Sequence, residues 1–148
     1  MKKGFTLIEL LIVMAIISAL LGVAAPIGLN ALSKAKAAQV AANLRNLSQS
    51  VLAAFLTYDS NYFFEIDNNN ELNEKEKAKL RIKKLYQDGF IDKDLSDKGY
   101  EIWLSDDEKV CKIYYISKDV QLLMVQSVNP SVKIDDNNSY IYLEVPKP

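Results

Sequence analysis

Histidine does not occur in this chain of 148 residues, and cysteine occurs once, as Cys111. The first absence removes Ser-His and Cys-His nucleophilic catalysis, histidine metal ligation and histidine pH sensing together. The second excludes an internal disulfide framework and a cysteine zinc site. Cys111 reads as a small apolar strand residue, with an intermolecular disulfide as the alternative. An excess of charge of either sign is also lacking. The net charge of −1 gives no general reason for a nucleic-acid or anionic-membrane surface. Carboxylates and lysines remain available for chemistry but do not cluster for it, so no catalytic residue, no cofactor and no nucleic-acid partner is expected.

The length suits one compact domain plus an appendage. Charge is distributed unevenly: between Gly4 and Lys34 the only charged residue is Glu9. From Phe5 to Ala25 only Thr6, Glu9, Ser18 and Gly22 are not plainly apolar. A helix of that length reaches roughly 30 Å, one hydrocarbon core. Lys2 and Lys3 precede it, and the positive-inside bias puts the N-terminus in the cytoplasm and the chain after Asn30 outside. A secretory signal peptide would be shorter and end in a small-residue cleavage site. Val23-Ala24-Ala25 imitates such a site, but Pro26 follows directly. A plain anchor fits the length but leaves Glu9 unexplained, because a carboxylate one turn into a spanning helix costs about 2–3 kcal/mol and needs a partner or a task.

The string Lys2-Lys3-Gly4-Phe5-Thr6-Leu7-Ile8-Glu9 followed by a long apolar run resembles the class III signal of type IV pilins and type II secretion pseudopilins. The resemblance implies that a prepilin peptidase cuts after Gly4 and methylates the new N-terminus at Phe5, leaving the apolar segment on the mature protein. Loss of Lys2 and Lys3 with that leader would make the net charge −3. The resemblance also implies that Glu9 is neutralised by the Phe5 amine of a neighbouring subunit in a filament core, setting the stagger between subunits. Phe5 and Glu9 are four apart, so the same amine can also reach the same carboxylate within one helix. The spacing alone does not separate the two arrangements.

Beyond Asn30 the pattern turns amphipathic. Ala31, Leu32, Ala35, Ala38, Leu44, Leu47, Val51, Leu52, Phe55 and Leu56 recur at helical spacing, with polar residues between them. Alanine is abundant and glycine absent from 29 to 58, so one helix is expected from Phe5 to about Tyr58, roughly 80 Å long. Its surface from Leu44 to Leu56 is expected to join the core. Gly22, Pro26 and Gly28 predict a kink or melted stretch near residues 22–28. Pro26 stands where the family has a helix-breaking proline that lends extensibility. A tolerated transmembrane proline is the alternative.

Asn61 to Asn73 reads as a loop. Its Asp67-Asn68-Asn69-Asn70-Glu71 lacks the glycine and distant glutamate of an EF-hand. Residues 74–87 suggest a surface helix with a solvated charged face and Leu80, Leu85 and Tyr86 interspersed, capped by Asn73 and stopped at Gly89. Tyr100–Leu104 and Val110–Ile116 read as strands joined by a turn at Asp106-Asp107-Glu108-Lys109. Ser117-Lys118-Asp119 is expected to cap a short helix carrying Val120, Leu123, Met124 and Val128, with a third strand as the competitor. Val132-Lys133-Ile134, the turn Asp135–Asn138 and Tyr140–Val145 read as a closing hairpin.

The expected architecture is α+β, the pilin fold: a long N-terminal helix packed on a small antiparallel sheet. Its parts are a leader at 1–4, a membrane or filament-core half at 5–29, an amphipathic half at 30–58 and a head at 59–148. With Cys111 alone, the head lacks the C-terminal disulfide of many family members. The resemblance implies a type IV pilus subunit, stored in the inner membrane and polymerised with its own kind at the cell surface by an assembly ATPase and platform. A type II secretion pseudopilin or minor pilin is the alternative, with a membrane-anchored binding module as a further one. Pseudopilins often bind calcium near a C-terminal loop, for which Asp135 and Asp136 are the candidates here; a solvated turn is the competing reading.

Overall fold

A computed structural model of the chain describes residues 4–105 and 109–148. Lys2, Lys3 and most of the expected 106–109 turn lie outside the described residues. The elements run α1 (Leu7–Tyr58), α2 (Phe64–Asp67), α3 (Glu74–Gln87), β1 (Tyr100–Leu104), β2 (Val110–Tyr115), α4 (Leu122–Val128), β3 (Lys133–Ile134) and β4 (Ile141–Pro146). Two compact units meet within α1, between Ala35 and Lys36.

In the first unit every described side chain is exposed. Leucine, isoleucine and valine side chains from Leu7 to Leu32 have no cover from their own chain. The helix continues through Gly22, Pro26 and Gly28, so this stretch is helical here rather than melted. Proline has no N–H, so Pro26 leaves the Gly22 carbonyl without its usual partner one turn on. A Cβ at Gly22 or Gly28 would meet nothing within 4 Å.

The second unit is built on a four-stranded antiparallel sheet of order β1-β2-β4-β3. Strand alternation sends Tyr100 and Ile102, then Cys111, Ile113 and Tyr115, then Ile141, Leu143 and Val145 into the core. They meet the buried stripe of α1, which is Ala37, Val40, Ala41, Leu44, Leu47, Val51, Ala54 and Phe55. Each fully buried Leu, Val or Phe contributes about 1.5–3 kcal/mol. This corrects the phase of the expected stripe. Ala31, Leu32, Ala35, Ala38, Leu52 and Leu56 are exposed, while the three-and-four spacing from Ala37 selects the inner face.

Helix α3 begins and ends as its sequence predicts. Asn73 accepts the Glu76 N–H at 2.9 Å, and Glu76 accepts the Asn73 N–H at 2.9 Å, a reciprocal capping box. At its end Gly89 has φ of +79°. The Phe90 N–H donates to the Leu85 carbonyl and the Gly89 N–H to the Tyr86 carbonyl, the pair of bonds that closes a helix through a left-handed glycine. Gly99 is required for a second reason: with φ of +84°, its Cβ would lie 3.0 Å from that of Ser117.

The charged face of α3 is not wholly solvated. Its inward stripe is Ala78, Ile82 and Leu85, and beside them Lys77 and Arg81 are buried. The Arg81 guanidinium, 2% exposed, donates to Asp67 Oδ1 at 2.9 and 2.7 Å and to the Ile102 carbonyl at 2.8 Å. Lys77 donates to the Asp67 carbonyl and to Glu74. The expected loop 61–73 therefore contains a helical turn, α2, held from below by Phe63 edge-on to Phe55 and from the side by this ion pair.

Helix α4 starts later than expected, at Leu122, and Gln121 at its N-cap makes no side-chain cap bond. Asp119 is committed elsewhere. Its carboxylate pairs with Lys36 at 2.5 Å and accepts the Tyr115 hydroxyl at 2.6 Å, and these bonds hold its pKa down at about 2. The buried residue of α4 is Val125, whereas Leu123 and Val128 are exposed. The closing hairpin forms as read, with β3 only two residues long.

Candidate functional site

The Gly4–Phe5 bond precedes the first helical residue, and both residues are exposed. The peptide bond there is not engaged in the helical ladder.

Glu9 lies at the third position of α1, with Thr6 as the residue before the helix. Its Oε2 accepts the Thr6 N–H at 2.8 Å and the Thr6 hydroxyl at 2.7 Å. The Thr6 Oγ1 in turn stands 3.3 Å from the Glu9 N–H. Thr6-Leu7-Ile8-Glu9 is thus a capping box at the start of the apolar helix. The negative carboxylate also sits against the positive end of the helix dipole. Two donors from its own chain make Glu9 tolerable in an apolar setting. Both use Oε2; Oε1 takes part in neither. Sequence reasoning noticed Glu9 but missed Thr6, although the Thr-x-x-Glu spacing before an apolar run is a readable signal of this arrangement.

The other candidates do not converge on this place. Asp135 Oδ1 accepts the N–H groups of Ser139 and Tyr140 at 2.7 Å each, and the turn is completed by Asn138 with φ of +50°. One carboxylate oxygen of Asp135 is therefore spent on closing the hairpin, and Asp136 is exposed. Among the described residues, no group of three or more His, Cys, Asp or Glu side chains is placed to hold a metal ion. Cys111 is fully buried, and burial pushes its thiol up to about 12. It sits in β2 as an apolar side chain and carries no thiolate at neutral pH.

Residues 1–25 match the family model of the prokaryotic N-terminal methylation motif. No curated protein and no solved structure matches the chain. The N-terminus carries the class III signal of the type IV pilin and pseudopilin family, and the long helix with its small antiparallel sheet is the α+β architecture expected of it. The protein is pilin-like or pseudopilin-like, and α1 is the one helix among the described residues long and apolar enough to cross a membrane.

Proposed function

We propose that this chain is a structural subunit of a type IV pilus filament. Prepilin peptidase removes residues 1–4 and methylates Phe5; the subunit then waits in the cytoplasmic membrane through the first half of α1. Assembly by an ATPase and membrane platform moves that half from lipid into a bundle of the same helices at the cell surface. The observation that carries this reading is the uncovered apolar length of α1 headed by a single carboxylate. A bare anchor has no use for Glu9, whereas a helix that changes its surroundings from lipid to neighbours does.

In the membrane, Thr6 satisfies Glu9 through Oε2. In the filament, Glu9 Oε1 accepts the methylated Phe5 amine of the adjacent subunit, and the charge pair fixes the axial stagger. Loss of helicity between Gly22 and Gly28 during assembly belongs to the same reading, since the Gly22 carbonyl already lacks its partner and glycine favours unwinding.

The test uses cells producing the full chain. Mass spectrometry of the wild type should show a chain starting at methylated Phe5. A substitution at Gly4 should leave the leader attached. Glu9→Ala should insert into the membrane at normal level and yield few or no sheared surface filaments; normal filament abundance from that variant would rule out the assembly role. Wild-type surface filaments built from this chain separate a pilus subunit from a secretion pseudopilin.

A further inference from the structure

Asparagine followed two positions later by serine occurs at Asn46-Leu47-Ser48, Asn129-Pro130-Ser131 and Asn137-Asn138-Ser139. Asn-x-Ser with any middle residue but proline is the acceptor pattern for an N-linked glycan. Proline removes the second triplet, and the structure separates the other two. Asn46 lies inside α1, and its neighbour Leu47 is 0% exposed. Offering Asn46 to an enzyme would mean opening the helix and drawing Leu47 out of the core.

The third triplet stands at the tip of the closing hairpin, where Asn137 and Asn138 are exposed. The turn is closed by Asp135: its carbonyl accepts the Asn138 N–H at 2.9 Å, and its Oδ1 accepts the Ser139 and Tyr140 N–H groups. Of Asn137 the turn uses only the carbonyl, 3.3 Å from the Ser139 hydroxyl. Among the described residues the Asn137 side-chain amide has no hydrogen-bond partner. Beneath the tip, β3 pairs with β4 through Lys133 and Ile134 alone, so the tip can lift at the cost of few backbone bonds. Bacterial N-glycosylation commonly asks in addition for an acidic residue two positions before the asparagine. Asp135 stands there, whereas Asn46 and Asn129 have Leu44 and Ser127. The chain's N-terminal motif is itself a prokaryotic one.

We propose that Asn137 is a modification site, the acceptor of an N-linked oligosaccharide carried on a polyprenyl pyrophosphate. In the transfer, Asn137 Nδ2 attacks the anomeric carbon of the first sugar. The new C–N bond forms as the bond from that carbon to the pyrophosphate oxygen breaks. The carrier leaves as polyprenyl pyrophosphate with the bonding electron pair, and the amide nitrogen gives one proton to a base of the transferase. Ser139 presents the hydroxyl of the acceptor pattern, and Asp135 keeps one carboxylate oxygen outside its two N–H bonds. The inference rests on the proposed function only in placing the head outside the cytoplasmic membrane, where such carriers deliver their glycan.

Trypsin puts the three triplets on separate peptides, 46–75, 119–133 and 134–148. Mass spectrometry of the full chain isolated from its own cells should find 134–148 heavier by an oligosaccharide. Fragment ions should place it on Asn137, with the other two peptides at their sequence mass. Asn137→Gln and Ser139→Ala, checked for an unchanged melting temperature, should each abolish the added mass, whereas Ser139→Thr should keep it. An unmodified 134–148 in the wild type overturns the proposal. So does a mass that survives Asn137→Gln, which would put the sugar on the Ser139 hydroxyl. A chain methylated at Phe5 and built into filaments, yet bare at Asn137, overturns the glycan alone. A chain modified at Asn137 that builds no filament overturns the filament reading alone.

Discussion

Leu7–Leu32 and Ala37–Phe55 are turns of one helix, rich in the same alanine, leucine, isoleucine and valine, yet they differ in who covers them. From Ala37 onward, one stripe is buried by the protein's own strands and by Phe63, while the opposite side carries Arg45, Asn46 and Gln49 in the open. Before Lys36, apolar side chains point in all directions and none is covered. An amphipathic helix needs cover on one side, and an all-round apolar helix needs it on every side. A sheet of four strands supplies the first kind. The second comes from lipid or from other helices, which is why the first half of α1 is read through its surroundings and the second half through its contacts.

The largest effect that would sharpen this contrast is expected at Arg81. Arg81→Ala leaves Asp67 and the Ile102 carbonyl without their buried donor, and should destabilise the head by about 3–5 kcal/mol, read as a lower melting temperature of the full chain in detergent. Next come paired truncations along α1. Leu44→Ala, at 0% exposure, should cost about 2–5 kcal/mol. Leu20→Ala, at 66% exposure, should move the melting transition by less than about 0.5 kcal/mol while lowering filament yield. Equal thermal effects at the two positions would break the comparison. Asn73→Ala removes the α3 capping box and should cost about 1 kcal/mol in the same unfolding measurement, with the α1 stripe intact.

The smallest effect is a pH dependence. Lys36, and after it the Tyr115 hydroxyl, lower the Asp119 pKa from 3.8 to about 2. A carboxylate with a depressed folded-state pKa contributes stability that is present above about pH 4 and lost as pH falls towards 2. Both partners are partly exposed, which limits the contribution to below about 1 kcal/mol. Melting temperatures followed from about pH 5 to pH 2 should show a step that Lys36→Met flattens.

Where local chemistry decides a feature, the sequence was enough. Asn73 and Gly89 bound α3 because capping is decided within four residues, and the alternation in β1, β2 and β4 states which face is inward. The class III signal was legible for the same reason. Features decided by distant neighbours were not. The phase of the α1 stripe depends on which side the sheet approaches, and alanines at 31, 35 and 38 fit either phase. Arg81 looked like one charge in a solvated run because its partners, Asp67 and the Ile102 carbonyl, lie 14 and 21 residues away. Asp119 had the composition of a helix cap, but its carboxylate is taken by Lys36 and the Tyr115 hydroxyl, and the helix starts three residues later. Glu101 read as the polar half of an alternating strand, and only the structure shows Trp103 and its surroundings closing over it.

The strand order has a consequence for life at high density. A sheet ends in two unpaired backbones, and unpaired backbones recruit strands from other molecules. Here β1 has the Arg81 guanidinium on its Ile102 carbonyl and α3 packed beside it, while β3 at the other end offers two residues. In the proposed filament, crowded heads would thereby be poor templates for one another's strands. On that proposal self-association would be left to the apolar helix, and copies of the chain could be packed side by side without aggregating through their sheets.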